Sequence, residues 1–309
     1  MRNKIITVIG GTGFLGRYVV KRLAKAGYTI RVICRRPNSA LHLKTAGDVG
    51  QIVLMSGNLA NPESLRDKLA NSYAVINLVG VLFESGKQTF TNLHAQGAEK
   101  IALMAKEAGA ERFIHISALG VDKNTDSAYA RSKAVGERAV QSAFPGATIL
   151  RPSVIFGPED NFFNQFATMA SLSPALPLIG GGKTKFQPVY VDNVAKAIVL
   201  CLTQDVQGET FELGGPRTYS FREILEYIMH TIGKKRMLIN VPFNVASTMG
   251  MGCEILPRPV LTRDQVRLLK HDNVVSPNAK TFAHLGISPA AVEVIVPEYL
   301  ARYNRKAAA

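Results

Sequence analysis

The sequence contains no tryptophan, only three cysteines, and far fewer acidic than basic residues. The cysteines, Cys34, Cys201 and Cys253, lie far apart and form no CxxC pair, which argues against a disulfide framework and a zinc site and is typical of a reducing compartment. The six histidines show no metal-ligand spacing either. We therefore expect no bound metal.

A long apolar segment and an N-terminal targeting signal are also missing. The longest uncharged stretch, residues 161–182, contains Pro174, Pro177 and three terminal glycines, which a membrane-spanning helix disfavours. Met1 leads into an apolar strand without a signal-peptide or transit-peptide pattern. We therefore expect a cytoplasmic protein of bacterial type, with peripheral attachment to the inner face of the inner membrane left open.

Acidic residues are scarcest at the start of the chain, where Asp48 is the first of them. The 37 basic and 23 acidic residues give a net charge of +14. Such a balance favours anionic partners, namely a phosphorylated cofactor, an acidic protein surface or an anionic lipid face. Nucleic acid is disfavoured because the sequence has no zinc-finger or RNA-recognition signature and does not interleave basic with aromatic residues.

The first half of the chain alternates between strand and helix patterns. Apolar runs predict strands, and residues repeating every three to four positions, such as Leu15, Val19 and Leu23, predict helices. This alternation indicates an α/β fold with a Rossmann-type, doubly wound parallel sheet. The predicted strands are 5–9, 29–34, 51–56, 74–79 and 112–117, and the later helices are 63–70 and 91–108.

The pattern becomes irregular after about residue 150. We predict a dinucleotide-binding domain over residues 1–150 and a smaller mixed α/β lobe over residues 151–309, with a soft boundary and a chain that re-enters the first domain. The predicted elements of the second half are strands 148–151 and 210–213, helices near 162–169, 221–231, 262–270 and 290–302, a helix starting near Asp192, and a loop at 180–185.

A glycine-rich turn joins the first strand to the first helix. Gly10, Gly13 and Gly16 permit a tight turn, a close approach to a pyrophosphate and close packing of the helix, and the helix start offers free N–H groups. A purely structural glycine turn is the alternative, but the strand–turn–helix context favours a dinucleotide. The predicted contacts in this turn are Gly10, Thr12, Gly13, Phe14, Leu15 and Gly16.

The residues after the second strand indicate which dinucleotide binds. An NAD site usually places Asp or Glu there to bind the ribose hydroxyls, whereas this chain has Arg35 and Arg36. Guanidinium groups suit a 2′-phosphate, so NADPH is favoured over NADH. The alternative is that both arginines are ordinary solvated surface charges.

Tyr129 and Lys133, in YARSKAVGE, are the candidate catalytic pair. Four residues apart on a helix, they share one face. A lysine ammonium beside the phenol is expected to lower the tyrosine pKa and prepare it for proton transfer. The alternative is an ordinary pair of surface side chains without a catalytic role.

Together these segments resemble the atypical branch of the short-chain dehydrogenase/reductase superfamily, which includes proteins similar to NAD-dependent epimerases and dehydratases. The resemblance rests on the glycine turn, on GNL at 57–59, on NLVG at 77–80 and on RPS at 151–153. It implies a dinucleotide held also by Asn58, Leu59, Val79, Gly80, Ser117, Tyr129, Lys133 and Pro152.

The resemblance breaks at the catalytic serine. Active members carry a hydroxyl just beyond the fifth strand, where this chain has Leu119. Ser117, two residues earlier, is expected to lie too deep to reach a substrate. The catalytic set is thus incomplete, and a site of this kind can keep its nucleotide and lose its reaction.

Within that branch the chain is similar to the nucleotide-binding accessory subunit of respiratory complex I (NADH:ubiquinone oxidoreductase) and its bacterial relatives. The likeness rests on GGTGFLGRYVVKRL, LHLKTAGDVGQIV, RSKAVGERAV and KFQPVYVDNVAKAI. It implies a tightly held NADPH, a structural or redox-sensing role beside the quinone-reducing arm, and attachment at the membrane surface.

Three functions follow in decreasing order of support. The first is a non-catalytic NADPH-binding accessory protein of complex I or quinone metabolism, and the second is an active oxidoreductase or epimerase acting on a carbonyl compound through Tyr129. The third is an NADP(H)-sensing regulator. One further segment, the apolar residues 243–256 after Lys234-Lys235-Arg236, fits either a membrane or partner surface or a helix packed in the core.

Overall fold

A seven-stranded parallel sheet forms the centre of the computed structural model. The structure describes residues 4–59, 61–86, 88–123, 126–257 and 259–304. The strands of this sheet are β1 (Ile5–Ile9), β2 (Thr29–Cys34), β3 (Ile52–Ser56), β4 (Ser72–Asn77), β5 (Arg112–Ile116), β6 (Thr148–Pro152) and β11 (Thr210–Leu213).

The order of the strands is β11-β6-β5-β4-β1-β2-β3. The chain moves outward from β1 to β3 and then crosses back to place β4 on the other side of β1. This reversal separates the loops that follow β1 and β4 and opens a crevice at the carboxyl ends of these strands, where open parallel sheets bind their ligands. The predicted Rossmann-type α/β fold is confirmed.

Helices cover both faces of the sheet because its central strands are apolar on both sides. The helices of this half of the chain are α1 (Phe14–Lys25), α2 (Arg66–Leu69), α3 (Gly97–Glu107) and α4 (Ala128–Ala143). Helix α1 packs on one face together with α6 (Val191–Leu200), across a core that includes Val19, Leu23 and Ile198. Helices α3 and α4 pack on the other face, on a core that includes Ile101 and Val140.

Two predicted helices differ in detail from the structure. The helix expected over 63–70 is a 3₁₀ turn at Pro62–Leu65 followed by the single turn of α2. The helix expected over 91–108 begins with a π-helical turn at Thr91–Gln96 before α3. Hydrophobic periodicity does not distinguish these helix types here, because a segment of one or two turns is too short to show the difference in residues per turn.

The second half of the chain builds a smaller mixed lobe and also returns to the main sheet through β11. Its cluster of buried residues includes Phe163, Phe221 and Val296. The domain boundary at residue 150 stays a prediction. The remaining strands are β7 (Ile155–Phe156), β8 (Ala175–Ile179), β9 (Lys185–Phe186), β10 (Val189–Tyr190), β12 (Tyr219–Ser220) and β13 (Met237–Val241).

The helices of the second half match most of the predicted segments. They are α5 (Phe163–Leu172), α6, α7 (Phe221–Thr231), α8 (Phe243–Cys253), α9 (Arg263–Leu268) and α10 (Val292–Leu300). Sequence analysis missed the parallel pair β8 and β13, because its partners are about sixty residues apart and neither strand alternates cleanly. Within the described ranges, no helix combines the length and apolarity needed to cross a membrane.

Candidate dinucleotide site

The glycine turn lies at the carboxyl end of β1, in the crevice of the sheet. Gly10 has a φ of 84°, a left-handed conformation that glycine adopts without strain. At Gly16, a Cβ atom would lie 2.5 Å from the carbonyl oxygen of Gly10, so only glycine lets α1 pack this closely on the turn. The turn therefore brings the start of the helix directly against the crevice.

The first turn of α1 is well suited to an anion. Its N-cap residue, Gly13, has no side chain to cap the helix, and the first turn carries no acidic residue. The amide groups of Phe14, Leu15 and Gly16 lie in this first turn, where helices lack internal acceptors and carry partial positive charge. A pyrophosphate would satisfy these groups.

A cavity of about 350 Å³ adjoins this turn and is basic. It is lined by Thr12, Cys34, Arg35, Arg36 and Ser39. Both arginines are exposed, and Arg35 Nη1 donates to Gln88 Oε1 at 2.9 Å. Described residues put no carboxylate in the lining of this cavity. The cavity thus offers guanidinium groups and hydroxyls to a phosphate and no acceptor suited to two ribose hydroxyls.

A larger cavity of about 740 Å³ shares Arg35 and runs along the edge strand β3. Its lining includes the exposed Asn58, which was predicted as an adenine contact, and Lys68. Leu59, predicted as a cofactor contact, instead buries its side chain in the core beneath α3. Any contact from Leu59 would therefore come from its backbone.

The loop after β4 meets Lys133 of helix α4. The Lys133 ammonium donates to the carbonyl oxygens of Ile116 at 3.0 Å and Val79 at 3.4 Å. A Cβ atom at Gly80 would lie 3.3 Å from Lys133 Nζ, so glycine keeps this approach open. Burial lowers the pKa of Lys133 to about 8, and the nearby Glu137 carboxylate opposes this shift.

Tyr129 lies one helical turn before Lys133 but in aromatic surroundings. Its ring packs edge-on against Phe90 and His94, with centroid distances of 5.9 and 5.4 Å. Burial raises the pKa of Tyr129 to about 12. The expectation that Lys133 lowers this pKa is therefore wrong for this structure, because desolvation of the phenolate dominates.

His94, in the π-helical turn, connects the β4 loop to helix α4. Its Nε2 accepts from the amide of Val81 at 3.0 Å, so its proton is on Nδ1, which donates to Ser132 Oγ at 2.9 Å. The Ser132 hydroxyl in turn donates to the carbonyl oxygen of Tyr129 at 2.7 Å. Burial, then the Lys133 charge, lowers the pKa of His94 to about 2, so the ring is neutral.

The end of β5 contains two buried polar atoms that have no hydrogen-bond partner among the described residues, His115 Nε2 and Ser117 Oγ. Asn77 Nδ2 donates to His115 Nδ1 at 3.2 Å, which places the histidine proton on the unpartnered Nε2. Burial lowers the pKa of His115 to about 3. Ser117 is only 4% exposed, which confirms that it lies deep.

Leu119 occupies the position where a catalytic hydroxyl is expected. Its side chain is 3% exposed, and its amide donates to the carbonyl oxygen of Pro152 at 3.0 Å. Pro152 is itself buried at the carboxyl end of β6. The Leu119 side chain is therefore buried at this end of the sheet and offers no hydrogen bond.

A carboxylate from the second lobe caps the helix that carries Tyr129 and Lys133. Asp264 of α9 accepts from Ser127 Oγ at 2.8 Å and from the amides of Ala128 at 2.8 Å and Tyr129 at 2.9 Å. A negative charge at a helix start satisfies the free amides and interacts favourably with the helix dipole. The second lobe thus fixes the position of α4.

The structure brings the predicted contacts to one edge of the sheet, at the ends of β1 to β6, with Tyr129 and Lys133 on helix α4. Sequence analysis missed Ser39, Lys68, His94, Ser132 and Asp264. Ser39 could have been found from its place just after the two arginines. His94 and Asp264 carry no local signal, because their hydrogen-bond partners are distant in the chain. Those of His94 lie 13 and 38 residues away. Those of Asp264 lie 135 to 137 residues away.

Comparison with known proteins agrees with this geometry. The model of the "NAD dependent epimerase/dehydratase family" matches residues 6–214. The NADH-ubiquinone oxidoreductase 40 kDa subunit of Neurospora crassa mitochondria is 36% identical over 303 residues, covering 97% of this chain and 80% of that protein. A ceramide reductase of Caulobacter vibrioides is 33% identical over 241 residues, covering 77% and 74%.

A solved structure with the same fold is a dTDP-glucose 4,6-dehydratase from Streptomyces venezuelae with NAD bound. It superimposes with a TM-score of 0.74 at 20% identity, covering 98% of this chain and 97% of that chain. At this identity the likeness concerns the fold alone.

Proposed function

This chain belongs to the NAD dependent epimerase/dehydratase family, and from that premise we propose that it is a non-catalytic NADPH-binding accessory protein of respiratory complex I. The observation that carries the proposal is the contrast between a complete phosphate site and an incomplete catalytic set. The fold and the glycine turn support dinucleotide binding.

The choice of NADPH rests on the basic cavity. A 2′-phosphate on the adenosine ribose would meet Arg35 and Arg36 together with the hydroxyls of Thr12 and Ser39. Charge-assisted hydrogen bonds from guanidinium to phosphate are about twice as strong as neutral ones. NADH would leave this charge without an anion and would find no carboxylate for its ribose hydroxyls.

The loss of reaction chemistry rests on the other end of the crevice. We infer that Leu119 stands where active relatives carry a hydroxyl and that Ser117, which is buried just beyond β5, does not take its role. Tyr129 holds its proton more tightly than an ordinary phenol because burial raises its pKa. These features favour retention of a bound dinucleotide over turnover.

Association with complex I is supported by the 36% identity to the Neurospora crassa subunit over nearly the whole chain. We propose that the nucleotide stabilises a fold that docks beside the quinone-reducing arm, at the inner face of the membrane. Gentle detergent extraction followed by native gel electrophoresis tests this directly. We expect the chain to migrate with complex I and to carry NADP(H).

A variant without nucleotide provides the control for that experiment. Gly16→Val should empty the site, because a side chain there collides with the glycine turn. If docking depends on the nucleotide-stabilised fold, this variant should leave the complex. Migration of the wild-type chain apart from every membrane complex would contradict the proposed association.

A second function, an active carbonyl reductase, is favoured by the retained Tyr129 and Lys133 and by the similarity to a ceramide reductase. In such a reaction a carbonyl carbon would accept the nicotinamide hydride, and its oxygen would take the proton of the Tyr129 hydroxyl. Substrate-dependent NADPH oxidation that Tyr129→Phe abolishes would support this function. Under the proposed accessory role, we expect no such turnover and nearly unchanged NADPH retention in the same variant.

A further inference from the structure

One segment of the second lobe concentrates exposed apolar side chains. Of the sixteen large hydrophobic residues that are exposed among the described residues, eight lie between residues 237 and 260. We call these eight the apolar patch. They are Met237, Ile239, Val245, Met249, Met251, Ile255, Leu256 and Val260.

The patch consists of the outer faces of consecutive elements. Strand β13 pairs with β8 and leaves Met237 and Ile239, two residues apart, exposed. Pro242 then leads into α8, which buries only Ala246 and Gly250. The inner faces of both elements pack on one small core, so the core-packed alternative for this segment holds only for its inner side.

The outer face of α8 follows a helical repeat. Val245 and Met249 are one turn apart, and Leu256 lies seven residues after Met249 in the segment that follows the helix. Ile255, 87% exposed, is the most accessible member of the patch. Clustered exposure of this kind on a soluble fold marks an interaction surface, whereas scattered exposed apolar residues need no explanation.

The charge around the patch is positive. Residues 234–262 contain Lys234, Lys235 and Arg236 next to the patch and a single acidic residue, Glu254. Glu254 is ion-paired with Arg263 at 2.9 Å, so its charge is compensated within the protein. Within the described ranges neither Lys234 nor Lys235 forms an ion pair, so the patch adjoins positive charge that no described carboxylate compensates.

We propose that the apolar patch is a membrane-binding surface that inserts at the headgroup boundary of an anionic lipid bilayer. Methionine, isoleucine and leucine side chains would enter the acyl boundary, and Lys234 and Lys235 would contact the lipid phosphates. A bilayer fits better than a protein groove because the patch presents flexible apolar side chains with a basic flank and almost no groups for specific hydrogen bonding. The inference rests on the membrane attachment in the proposed function, which it assigns to named residues, and it does not require the nucleotide.

Vesicle flotation tests the proposal on the full chain loaded with NADPH. We expect binding to phosphatidylcholine vesicles that contain phosphatidylglycerol and little binding to phosphatidylcholine alone. Met249→Glu combined with Ile255→Glu should abolish binding. Leu103→Glu, on the exposed side of α3 with an exposure of 43% against 49% for Met249, is the matched control and should bind like the wild type.

The positive charges of Lys234 and Lys235 should each strengthen binding to anionic vesicles. Lys234→Gln with Lys235→Gln should weaken binding to the anionic vesicles roughly 25-fold, since each basic residue near such a surface contributes about fivefold. Added salt should weaken the wild type similarly.

The absence of tryptophan allows a second readout that is independent of charged variants. Met249→Trp introduces a single reporter whose emission should shift to shorter wavelength on anionic vesicles, whereas Leu103→Trp should not respond. Vesicle binding equal in the wild type and the double glutamate variant would overturn the proposal. So would self-association through the patch, seen as a dimer that Met249→Glu converts to a monomer without any vesicle binding. NADPH retention, measured in parallel, tests the proposed function separately.

Discussion

The two ends of the candidate site are built differently. At the phosphate end, the glycine turn, the helix start and two basic cavities are open to a ligand, and the described residues that line them include no acidic group. At the other end, Tyr129, His94 and Lys133 are packed among aromatic rings and backbone carbonyls, and Leu119 is buried nearby.

This contrast separates binding from chemistry. The affinity of a dinucleotide depends mainly on groups that hold its phosphates and adenosine, whereas catalysis depends on polar groups positioned at the reacting atoms. Selection for a stable, nucleotide-loaded protein would preserve the first set and permit apolar packing in the second. The substitutions below test this difference.

The largest expected effect is the loss of stability in acid at the packed end. His94 and His115 have pKa values of about 2 and 3 in the fold and about 6.5 when unfolded, so the unfolded chain binds more protons below pH 6.5. The histidine contribution to stability is thus fully present well above pH 6.5 and falls as the pH decreases below it. Each histidine should cost about 2 kcal/mol at pH 5, about 4 kcal/mol together.

Denaturant unfolding of the wild type at pH 7 and pH 5 measures this loss. His115→Gln should remove about half of it, because the amide does not titrate. An acid loss of the same size in this variant would show that His115 is not buried as a neutral ring.

Gly16→Val is expected to have the largest effect on the phosphate end. The new side chain would force α1 away from the turn and misplace the amides that face the pyrophosphate. Loss of two charge-assisted hydrogen bonds should weaken NADPH binding roughly a hundredfold or more. Calorimetric titration checks this value, with Gly252→Ala, where a Cβ meets no atom within 4 Å, as the control.

Arg35→Ala with Arg36→Ala should change which dinucleotide binds. NADPH affinity should fall roughly 10- to 100-fold, the effect of losing hydrogen bonds to a charged phosphate, while NADH affinity stays the same. Arg222→Ala, an exposed arginine paired with Glu226 on α7, serves as the control. An equal loss for both dinucleotides would mean that the arginines do not contact a 2′-phosphate.

Asp264→Ala should have the smallest effect and should weaken only the packed end. Removal of the carboxylate leaves the first amides of α4 without their acceptor, which should cost about 1–2 kcal/mol in the free energy of unfolding. Asp264→Asn keeps an acceptor oxygen and should lose less. NADPH affinity should change little in either variant. A large loss of affinity would contradict the independence of the phosphate end from the packed end.

The sequence was sufficient to predict the parts of the molecule that depend on local patterns. The strands 5–9, 29–34 and 210–213 have the predicted bounds, because apolar runs between turn residues specify buried strands. The glycine turn was predictable from the spacing of its glycines after the first strand, and the structure gives a steric reason for glycine at Gly10 and Gly16.

The packed end could be predicted only in part. The sequence shows leucine at position 119, where we expected a hydroxyl. The raised pKa of Tyr129, in contrast, depends on its burial against the rings of Phe90 and His94. A π-helical turn brings these rings close, and it leaves no signature in hydrophobic periodicity. The Asp264 cap depends on the packing of the second lobe against α4. Such contacts are set by the tertiary fold, so no local pattern indicates them.

The central claim, a firmly held NADPH, is tested most directly by mass spectrometry of the nucleotide released when the natively purified protein is denatured. The account predicts about one NADP(H) per chain, with NAD(H) at trace level. A protein purified without nucleotide, or one that carries NAD(H) in place of NADP(H), would contradict it.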